Sequence, residues 1–225
     1  MAITAGISYR SATEINSAMA RVYGHMSLAV LTSMIVSYFV GSTPLLMQFF
    51  FTGIMKWIVI FAPLAVMFVI MFAMERVGKT GAQLLLHGFA ALMGLSFATI
   101  FAVFTMGSIV SAFMGGAILF GVMSGWGYFT KKDLTSWGSM LFIGLIAIVL
   151  ASIVNIFIGS TALQMTISAI AILIFLGLTA YDTQRIREEV SVDGDGVAEI
   201  TGALTLYLDF INLFLNLLQL FGDRK

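Results

Sequence analysis

Two aspartates are the residues of this chain whose type and position most clearly allow chemistry. Asp209 lies in the run LTLYLDFINLFLNLLQLF, which carries no other charge, and Asp182 lies in LTAYDTQRIREE, where an apolar segment becomes charged. A charged aspartate at the centre of a membrane-spanning helix costs about 2.5–3.5 kcal/mol on insertion scales, so packing alone seldom retains one. Both are therefore candidate functional residues.

The two aspartates lie at nearly equal distances along the chain from a glycine-flanked turn, Gly194-Asp195-Gly196. If the flanking segments form an antiparallel helical hairpin, its tip falls at this turn. Both aspartates would then lie about 20 Å from the tip, at ~1.5 Å per residue. The sequence thus predicts that they lie at one level of a bundle, while the rotation of each helix stays open.

Facing carboxylates would form a proton-dependent pair. Two such groups about 4 Å apart repel each other by roughly 4 kcal/mol at an effective dielectric constant near 20. The pair would share one proton in acid and lose it in mild base. It could then switch helix packing or bind Ca²⁺ through hard oxygen ligands, with Asp182 and Asp209 as the metal-binding residues.

The composition places these residues in a membrane. Of 225 residues, 60% are hydrophobic and 10% charged, and the mean hydropathy is +1.05, which excludes a soluble globular protein. The formal net charge is zero, which argues against nucleic acid as a partner, and the lipid bilayer is the expected surrounding. The chain has no cysteine, so disulfides, thiol chemistry and cysteine-based zinc sites are excluded.

The apolar segments predict an all-α integral membrane protein with seven transmembrane helices joined by short links. A short N-terminal segment, residues 1–20, precedes a single transmembrane domain, residues 21–225. The predicted spans are residues 22–41, 54–74, 83–105, 108–129, 139–159, 162–182 and 201–221.

The distribution of Lys and Arg predicts the topology. The cations concentrate before the first span and in alternate links, which places the N-terminus in the cytoplasm and, with seven spans, the C-terminus in the periplasm. The alternate links carry only Lys56, but Arg224 and Lys225 at the C-terminus fit this rule poorly. A re-entrant last segment, with a cytoplasmic C-terminus, is the alternative. The cations that set the orientation are Arg10, Arg21, Arg76, Lys79, Lys131, Lys132, Arg185 and Arg187.

Polar residues form a stripe along the last span. Asn212, Asn216 and Gln219 follow Asp209 at spacings of three, four and three residues, which places all four on one helix face. Because lipid offers no hydrogen bonds, such a stripe is expected to face inward, in a central or pore-lining helix. The amides are equally compatible with hydrogen bonds that only fasten neighbouring helices.

Other charged and small residues have simpler interpretations. Glu75-Arg76 reads as an interfacial charge pair, with the alternative that Arg76 reaches the aspartate pair and stabilises its ionised form. The acidic residues between the last two spans read as a solvated turn that concentrates cations; they are Glu188, Glu189, Asp193, Asp195 and Glu199. Small residues in spans four and five predict close helix packing; they are Gly115, Gly116, Gly121, Gly125, Gly127, Gly144 and Ala151.

No enzyme signature is present. The chain has no GxSxG, no HExxH and no phosphate-binding glycine loop followed by Lys-Ser/Thr. An intramembrane aspartyl protease also uses aspartates on two adjacent helices, but its signature places Gly beside the second aspartate, where this chain has Leu208 and Phe210. The sequence therefore predicts a protein that is not an enzyme and that has no cofactor.

Three segments together resemble the Bax inhibitor family, which includes bacterial members. They are RVYGHMSLAVLTSMIVSYFVGS near the start, AYDTQRIRE after span six and LYLDFINLFLNLLQLFG at the end. The resemblance covers nearly the whole chain. It implies a seven-helix fold in which the C-terminal helix is enclosed by the other six.

The resemblance also implies a function. It points to a pH-sensitive calcium leak channel of the bacterial inner membrane, gated by two aspartates that fall on Asp182 and Asp209, with calcium as the transported or transiently bound ion. An arginine of the second span takes part in this gate in the family, and Arg76, at the end of that span, is the candidate. The alternative is a regulator of a membrane-bound AAA protease in the stress response, which transports nothing and docks through residues 1–20.

Overall fold

The structure, a computed structural model, describes residues 9–74, 76–192 and 194–225, and its framework is helical. An isolated antiparallel bridge joins Phe104 to Arg224 near the C-terminus. In chain order the helices of the described part are α1 (Ala12–Gly41), α2 (Pro44–Phe51), α3 (Met55–Ala73), α4 (Gly78–Phe97), α5 (Ile100–Val103), α6 (Met106–Phe129), α7 (Thr135–Ile158), α8 (Thr161–Val192) and α9 (Val197–Phe221).

Seven helical segments of the described part are long and apolar enough to cross a membrane. Six are the single helices α1, α3, α6, α7, α8 and α9, and the remaining one, Gly78–Val103, joins α4 and α5 across a turn. The predicted class, an all-α protein with seven transmembrane helices, is confirmed. The last segment is one continuous helix of 25 residues, about 37 Å at ~1.5 Å per residue, which is longer than a ~30 Å hydrocarbon core.

The first helix begins ten residues before the predicted span. Ser11 is its N-cap: the hydroxyl accepts a hydrogen bond from the backbone N–H of Glu14, and the Glu14 carboxylate accepts from the backbone N–H of Ser11. This reciprocal capping box satisfies two otherwise unpaired donors and starts the helix there. Of the predicted N-terminal segment, residues 12–20 therefore belong to α1, whereas residues 1–8 lie outside the described residues.

The end of the sixth span also differs from the prediction, and the link between the first two spans is partly helical. Helix α8, which contains the sixth predicted span, continues ten residues past the predicted end of that span. Ile186 and Val190 in this charged extension are buried in the bundle. At 32 residues α8 is about 48 Å long, so it extends beyond a ~30 Å core. The link between the first two spans contains the short helix α2, which has Pro44 at its first turn where proline is favoured.

The C-terminal helix is the centre of the bundle. Helices α8, α6, α1 and α4 pack directly against α9, while α3 packs mainly on α4 and α7 mainly on α8. Leu204, Leu206 and Tyr207 are buried although helix periodicity places them on different sides of α9. The predicted enclosure of the last helix is confirmed, and the apolar residues that surround Asp209 in sequence form the core of the protein.

Helices α8 and α9 form the predicted hairpin. The turn between Val192 and Val197 includes Gly196 in the left-handed region at φ 78°, a conformation that favours glycine. The Asp195 side chain, one residue before the N-cap Gly196, accepts a hydrogen bond of 2.9 Å from the backbone N–H of Val197, the first residue of α9. The tip therefore lies where the glycines predicted it.

Candidate functional site

The hairpin brings Asp182 of α8 and Asp209 of α9 together. Their carboxyl groups are within hydrogen-bond reach of each other, and the two residues are 7% and 5% exposed. Within the described part of the chain, Asp209 Oδ2 is a buried oxygen with no hydrogen-bond donor. The equal distances of the two aspartates from the turn predict that they lie at one level. The rotations of α8 and α9, which the sequence leaves open, point the two carboxyl groups toward each other.

A pair of this kind is not stable with two full charges. At an effective dielectric constant of about 20, two carboxylates ~4 Å apart repel each other by roughly 4 kcal/mol. A single proton on one of the two groups neutralises it, which removes this repulsion and allows that group to donate a hydrogen bond to the other. The cation next along α8, Arg185, is exposed and paired with Glu189 at 2.7 Å, so it does not neutralise the two acids by direct contact.

Hydroxyl contacts hold the helices on both sides of the aspartate pair. Thr183, the residue after Asp182, bonds to Ser124 of α6 at 2.9 Å, and Ser124 bonds in turn to the Tyr23 hydroxyl of α1 at 2.7 Å. These bonds tie α8, α6 and α1 together beside Asp182.

A second hydroxyl cluster lies beside Asp209. The Tyr207 hydroxyl bonds to Ser33 Oγ of α1 at 2.7 Å, and Ser33 Oγ donates to the Ala90 carbonyl of α4 at 2.7 Å. All three residues are buried. Hydroxyls paired in this way position the backbone of α9 two residues before Asp209.

The structure does not bring Arg76 to the aspartates. Arg76 is exposed just beyond the end of α3, and across the described residues no hydrogen bond or ion pair joins it to Asp182 or Asp209. Its position follows from the chain, because the span ends before Arg76. Its partner in the predicted interfacial pair, Glu75, lies outside the described residues.

The predicted polar stripe is only partly directed into the bundle. Asp209 is buried, but Asn212, Asn216 and Gln219 are half-buried. The side-chain amide of Asn212 donates to the Leu208 carbonyl, and that of Asn216 donates to the Asn212 carbonyl, each at 2.8 Å. The two asparagines are therefore satisfied by their own helix.

Two of the small residues predicted to pack closely lie where α6 contacts a neighbouring helix. A Cβ at Gly127 would lie 2.8 Å from Ala180 Cα on α8, so the two backbones approach directly, and Gly116 faces Phe210 and Phe214 of α9. By contrast, a Cβ at Gly115, Gly121 or Gly125 would meet nothing within 4 Å. The close-packing interpretation applies in α6 to the helix face of Gly116 and Gly127, and in α7 to Gly144, where a Cβ would lie 3.0 Å from Ile174 Cδ1 of α8.

An ion cluster that sequence reasoning missed closes the other end of α9. Glu199, predicted to lie in a solvated turn, is 1% exposed and paired with three cations. Arg21 of α1 bonds to both its carboxylate oxygens at 2.6 and 2.7 Å, while Arg10 lies 3.3 Å and Lys79 3.6 Å from it. The solvated interpretation of Glu199 is wrong because α9 begins two residues earlier and turns this side chain inward.

The sequence did contain a signal for this cluster. Arg10, Arg21 and Lys79 were assigned to the same membrane side as the hairpin tip, so three cations and Glu199 had to share one end of the bundle. A carboxylate at the third position of a buried helix is also stabilised there by the helix dipole. The missing information was which of five acidic residues would face inward.

The described residues contain no group of three or more His, Cys, Asp and Glu side chains arranged to hold a metal ion. Asp182 and Asp209 together offer at most four carboxylate oxygens, whereas a resident Ca²⁺ takes 6–8 oxygen ligands.

Known proteins are similar to this sequence over almost its entire length. Residues 15–225 match the family model described as "Inhibitor of apoptosis-promoting Bax1". The chain is 42% identical over 214 residues to the inner membrane protein YbhL of Escherichia coli K12, with 92% of each chain covered. It is 39% identical over 212 residues to a protein of Rickettsia prowazekii, covering 92% of this chain and 89% of the other.

A protein of Deinococcus radiodurans is 36% identical over 216 residues, with 94% of this chain and 92% of the other covered. The relation to YbhL, whose name describes a membrane protein and not an enzyme, and the seven membrane-length helices indicate a multi-pass protein of the inner membrane. On the match of nearly all its residues, the chain belongs to the Bax inhibitor family, as a bacterial member.

Proposed function

We propose that this protein is a passive calcium leak channel of the bacterial inner membrane, with Asp182 and Asp209 as a pH sensor that shares one proton. In this proposal the N-terminus is cytoplasmic and the C-terminus periplasmic. The observation that carries the proposal is the contact of two buried carboxyl groups inside a seven-helix bundle, one of which has an oxygen without a donor among the described residues.

The shared proton explains how the pair can exist in the packed bundle. It supplies the donor that Asp209 Oδ2 lacks and removes the repulsion between the two acids. When the proton leaves, roughly 4 kcal/mol of repulsion acts between α8 and α9 at ~4 Å and a dielectric constant near 20. The helices then repack, or a divalent cation takes the place of the proton, since hard oxygen ligands suit Ca²⁺.

A polar cleft supports a route from the pair toward the C-terminal end of the bundle. It has a volume of about 360 Å³ and lies between α6 and α9, where Thr105, Ser108, Ser111 and Asp223 line it. Its inner wall includes Leu217, two helical turns beyond Asp209 on α9. In this proposal the cleft is the calcium entrance on that side, and the apolar residues between it and Asp209 are the closed gate.

The test is calcium flux in liposomes that contain the purified protein and a calcium-sensitive dye, measured over a range of pH. The wild-type flux should depend on pH. Asp209→Asn and Asp182→Asn should each give a pH-independent flux equal to the acid limit of the wild type, because asparagine is neutral and supplies a donor, as the protonated pair does. Flux that is independent of pH in the wild type, or unchanged in Asp209→Asn, contradicts the proposal.

Two further variants complete the experiment. Asp133→Asn removes an acid in the exposed link before α7, where Asp133 accepts a hydrogen bond from the Thr135 backbone, and should leave the pH dependence intact. Arg76→Gln tests the proposed role of Arg76 in the gate. A shifted pH dependence supports that role, and an unchanged one removes Arg76 from the gate.

The regulator of a membrane-bound AAA protease stays a prediction. It requires a free docking segment in residues 1–20, and within residues 9–20 the Arg10 side chain is bonded to α8 and Glu199 while residues 12–20 are helical. If liposomes show no flux at any pH and removal of residues 1–8 abolishes protease binding, the regulator replaces the channel.

A further inference from the structure

A deep apolar groove opens between α1 and α6 toward the surrounding lipid. α1 packs on α4 and α9, and α6 packs on α8 and α9, which leaves a gap between them. The gap contains two cavities, of about 430 and 350 Å³, which share Val30, Met34, Phe113 and Phe210 and so form one groove. Each volume alone falls within the range of 300–1,000 Å³ for small-molecule sites.

The floor of the groove is the central helix. Phe210, Ile211 and Phe214 of α9 are buried at its base, while Met34 and Val110 on its two edges are exposed. The Phe210 ring packs edge-on against Phe113 at 5.4 Å. Phe210 follows Asp209 directly, so whatever lies in the groove contacts the helix segment that carries Asp209.

Water is not a suitable occupant. Ser33, Ser37 and Tyr38 are the hydroxyl residues in the wall of the larger cavity. The two serines already donate to backbone carbonyls, Ser33 to Ala90 and Ser37 to Met34, and Tyr38 is exposed. A buried water needs two to four polar partners, which these apolar walls do not offer. An empty space of this size would lose the dispersion contacts of its entire lining.

The length of the groove matches a lipid chain. It extends along α1 from Tyr23 to Tyr38, which is about 22 Å at ~1.5 Å per residue. One leaflet of a bilayer contributes about half of a ~30 Å hydrocarbon core. The groove is therefore long enough to take a complete acyl chain that enters from one side of the membrane.

Cations lie at the Tyr38 end of the groove. Lys225 Nζ is 2.6 Å from the carbonyl of Phe101, which lines the groove, and the Arg224 guanidinium lies 5.9 Å from the Phe104 ring. Backbone hydrogen bonds from Lys225 to Val103 and from Thr105 to Asp223 fix the tail there. Both cationic residues are exposed, whereas Asp223 lines the separate cleft between α6 and α9.

We propose that this groove binds one acyl chain of a membrane glycerophospholipid, with the lipid phosphate against Arg224 and Lys225. Moving a chain from bilayer to groove gains little hydrophobic energy, because both surroundings are apolar. The preference for the site comes from packing in the groove and from the phosphate, which guanidinium groups bind through two parallel hydrogen bonds.

The experiment is native mass spectrometry of the detergent-solubilised full chain, titrated with palmitoyl-oleoyl phosphatidylglycerol and, separately, with palmitoyl-oleoylglycerol, which has the same acyl chains without the phosphate. Wild type should retain one phospholipid. Ser37→Phe on α1 and Ala117→Phe on α6 fill the groove from opposite walls, and each should lower phospholipid affinity about tenfold, equivalent to ~1.4 kcal/mol. Ala147→Phe, on an exposed site of α7, is the matched control and should bind as wild type does.

Further measurements distinguish the possible occupants of the groove. Arg224→Ala combined with Lys225→Ala should weaken phosphatidylglycerol binding and leave binding of the uncharged palmitoyl-oleoylglycerol unchanged; equal effects on both overturn the phosphate contact. Ala117→Phe is exposed and keeps the test decisive if Ser37→Phe does not fold. Phospholipid retention equal in Ala117→Phe and Ala147→Phe overturns the proposal. So does a dimer peak that Ala117→Phe abolishes, or lipid binding that appears only after residues 1–8 are removed.

Discussion

Arg21 of α1 donates two hydrogen bonds to the buried carboxylate of Glu199 on α9, from Nε to Oε2 at 2.7 Å and from Nη2 to Oε1 at 2.6 Å. The two residues are 178 positions apart in the chain, so this ion pair connects the first helix to the last. Arg10 and Lys79 reach the same carboxylate from the N-terminal segment and from α4. One acidic side chain thus joins three parts of the bundle at the end opposite the C-terminus.

Arg21→Gln should destabilise the protein more than removal of an exposed cation that forms no ion pair. Breaking a buried ion pair costs about 3–5 kcal/mol; with Arg10 and Lys79 retained and Arg21 half exposed, we expect about 2 kcal/mol. The unfolding temperature in detergent should fall by about 4–8 °C, at ~2–4 °C per kcal/mol for a chain of this size.

Lys131→Gln is the control for this prediction, because Lys131 is exposed and has no ion pair among the described residues. It should leave the unfolding temperature within about 1 °C of wild type, as surface substitutions usually do. An Arg21→Gln variant as stable as Lys131→Gln would mean that Arg10 and Lys79 suffice to neutralise Glu199.

Gly127→Ala should destabilise the contact of α6 with α8. The added Cβ would lie 2.8 Å from Ala180 Cα and against the Ala180 carbonyl oxygen, so the helices must separate. Overpacking of this kind typically costs about 1–3 kcal/mol. Thermal unfolding in detergent measures the effect.

Gly125→Ala, two residues earlier on the same helix, is the matched comparison. Its Cβ would meet nothing within 4 Å. Alanine is favoured over glycine in a helix interior by about 0.8–1.0 kcal/mol, so this variant should be as stable as wild type or slightly more stable. If both alanine variants behave alike, the close approach of Gly127 to Ala180 is not a constraint on the bundle.

Removing the Tyr207 hydroxyl and removing the Ser33 hydroxyl should lower the free energy of unfolding by different amounts. In Tyr207→Phe the Ser33 hydroxyl still donates to the Ala90 carbonyl, so the loss should be about 1 kcal/mol. In Ser33→Ala the fully buried Tyr207 hydroxyl loses its partner, and a buried unsatisfied group costs about 1–3 kcal/mol.

Unfolding measurements on both single variants and on the double variant test this order. The double variant should be more stable than the sum of the single losses predicts, because it leaves no unpaired tyrosine hydroxyl. A Tyr207→Phe variant that loses more stability than Ser33→Ala would show that the tyrosine hydroxyl has another essential partner.

The sequence by itself determined the number of membrane spans, the position of the hairpin tip and the common level of Asp182 and Asp209. These follow from run length, from glycine in a turn and from the constant rise of a helix, all of which are properties of neighbouring residues. The enclosure of the last helix was predicted from the family resemblance, and the packing of α8, α6, α1 and α4 around α9 confirms it.

Only the tertiary structure decided which side chains face each other. The rotation of α8 and α9 that brings the two carboxyl groups into contact, the burial of Glu199 among three cations and the use of Gly127 rather than Gly125 at an interface depend on packing between helices distant in sequence. The physical reason is geometric. Helix periodicity specifies which residues share a face, but the neighbouring helices specify where that face points.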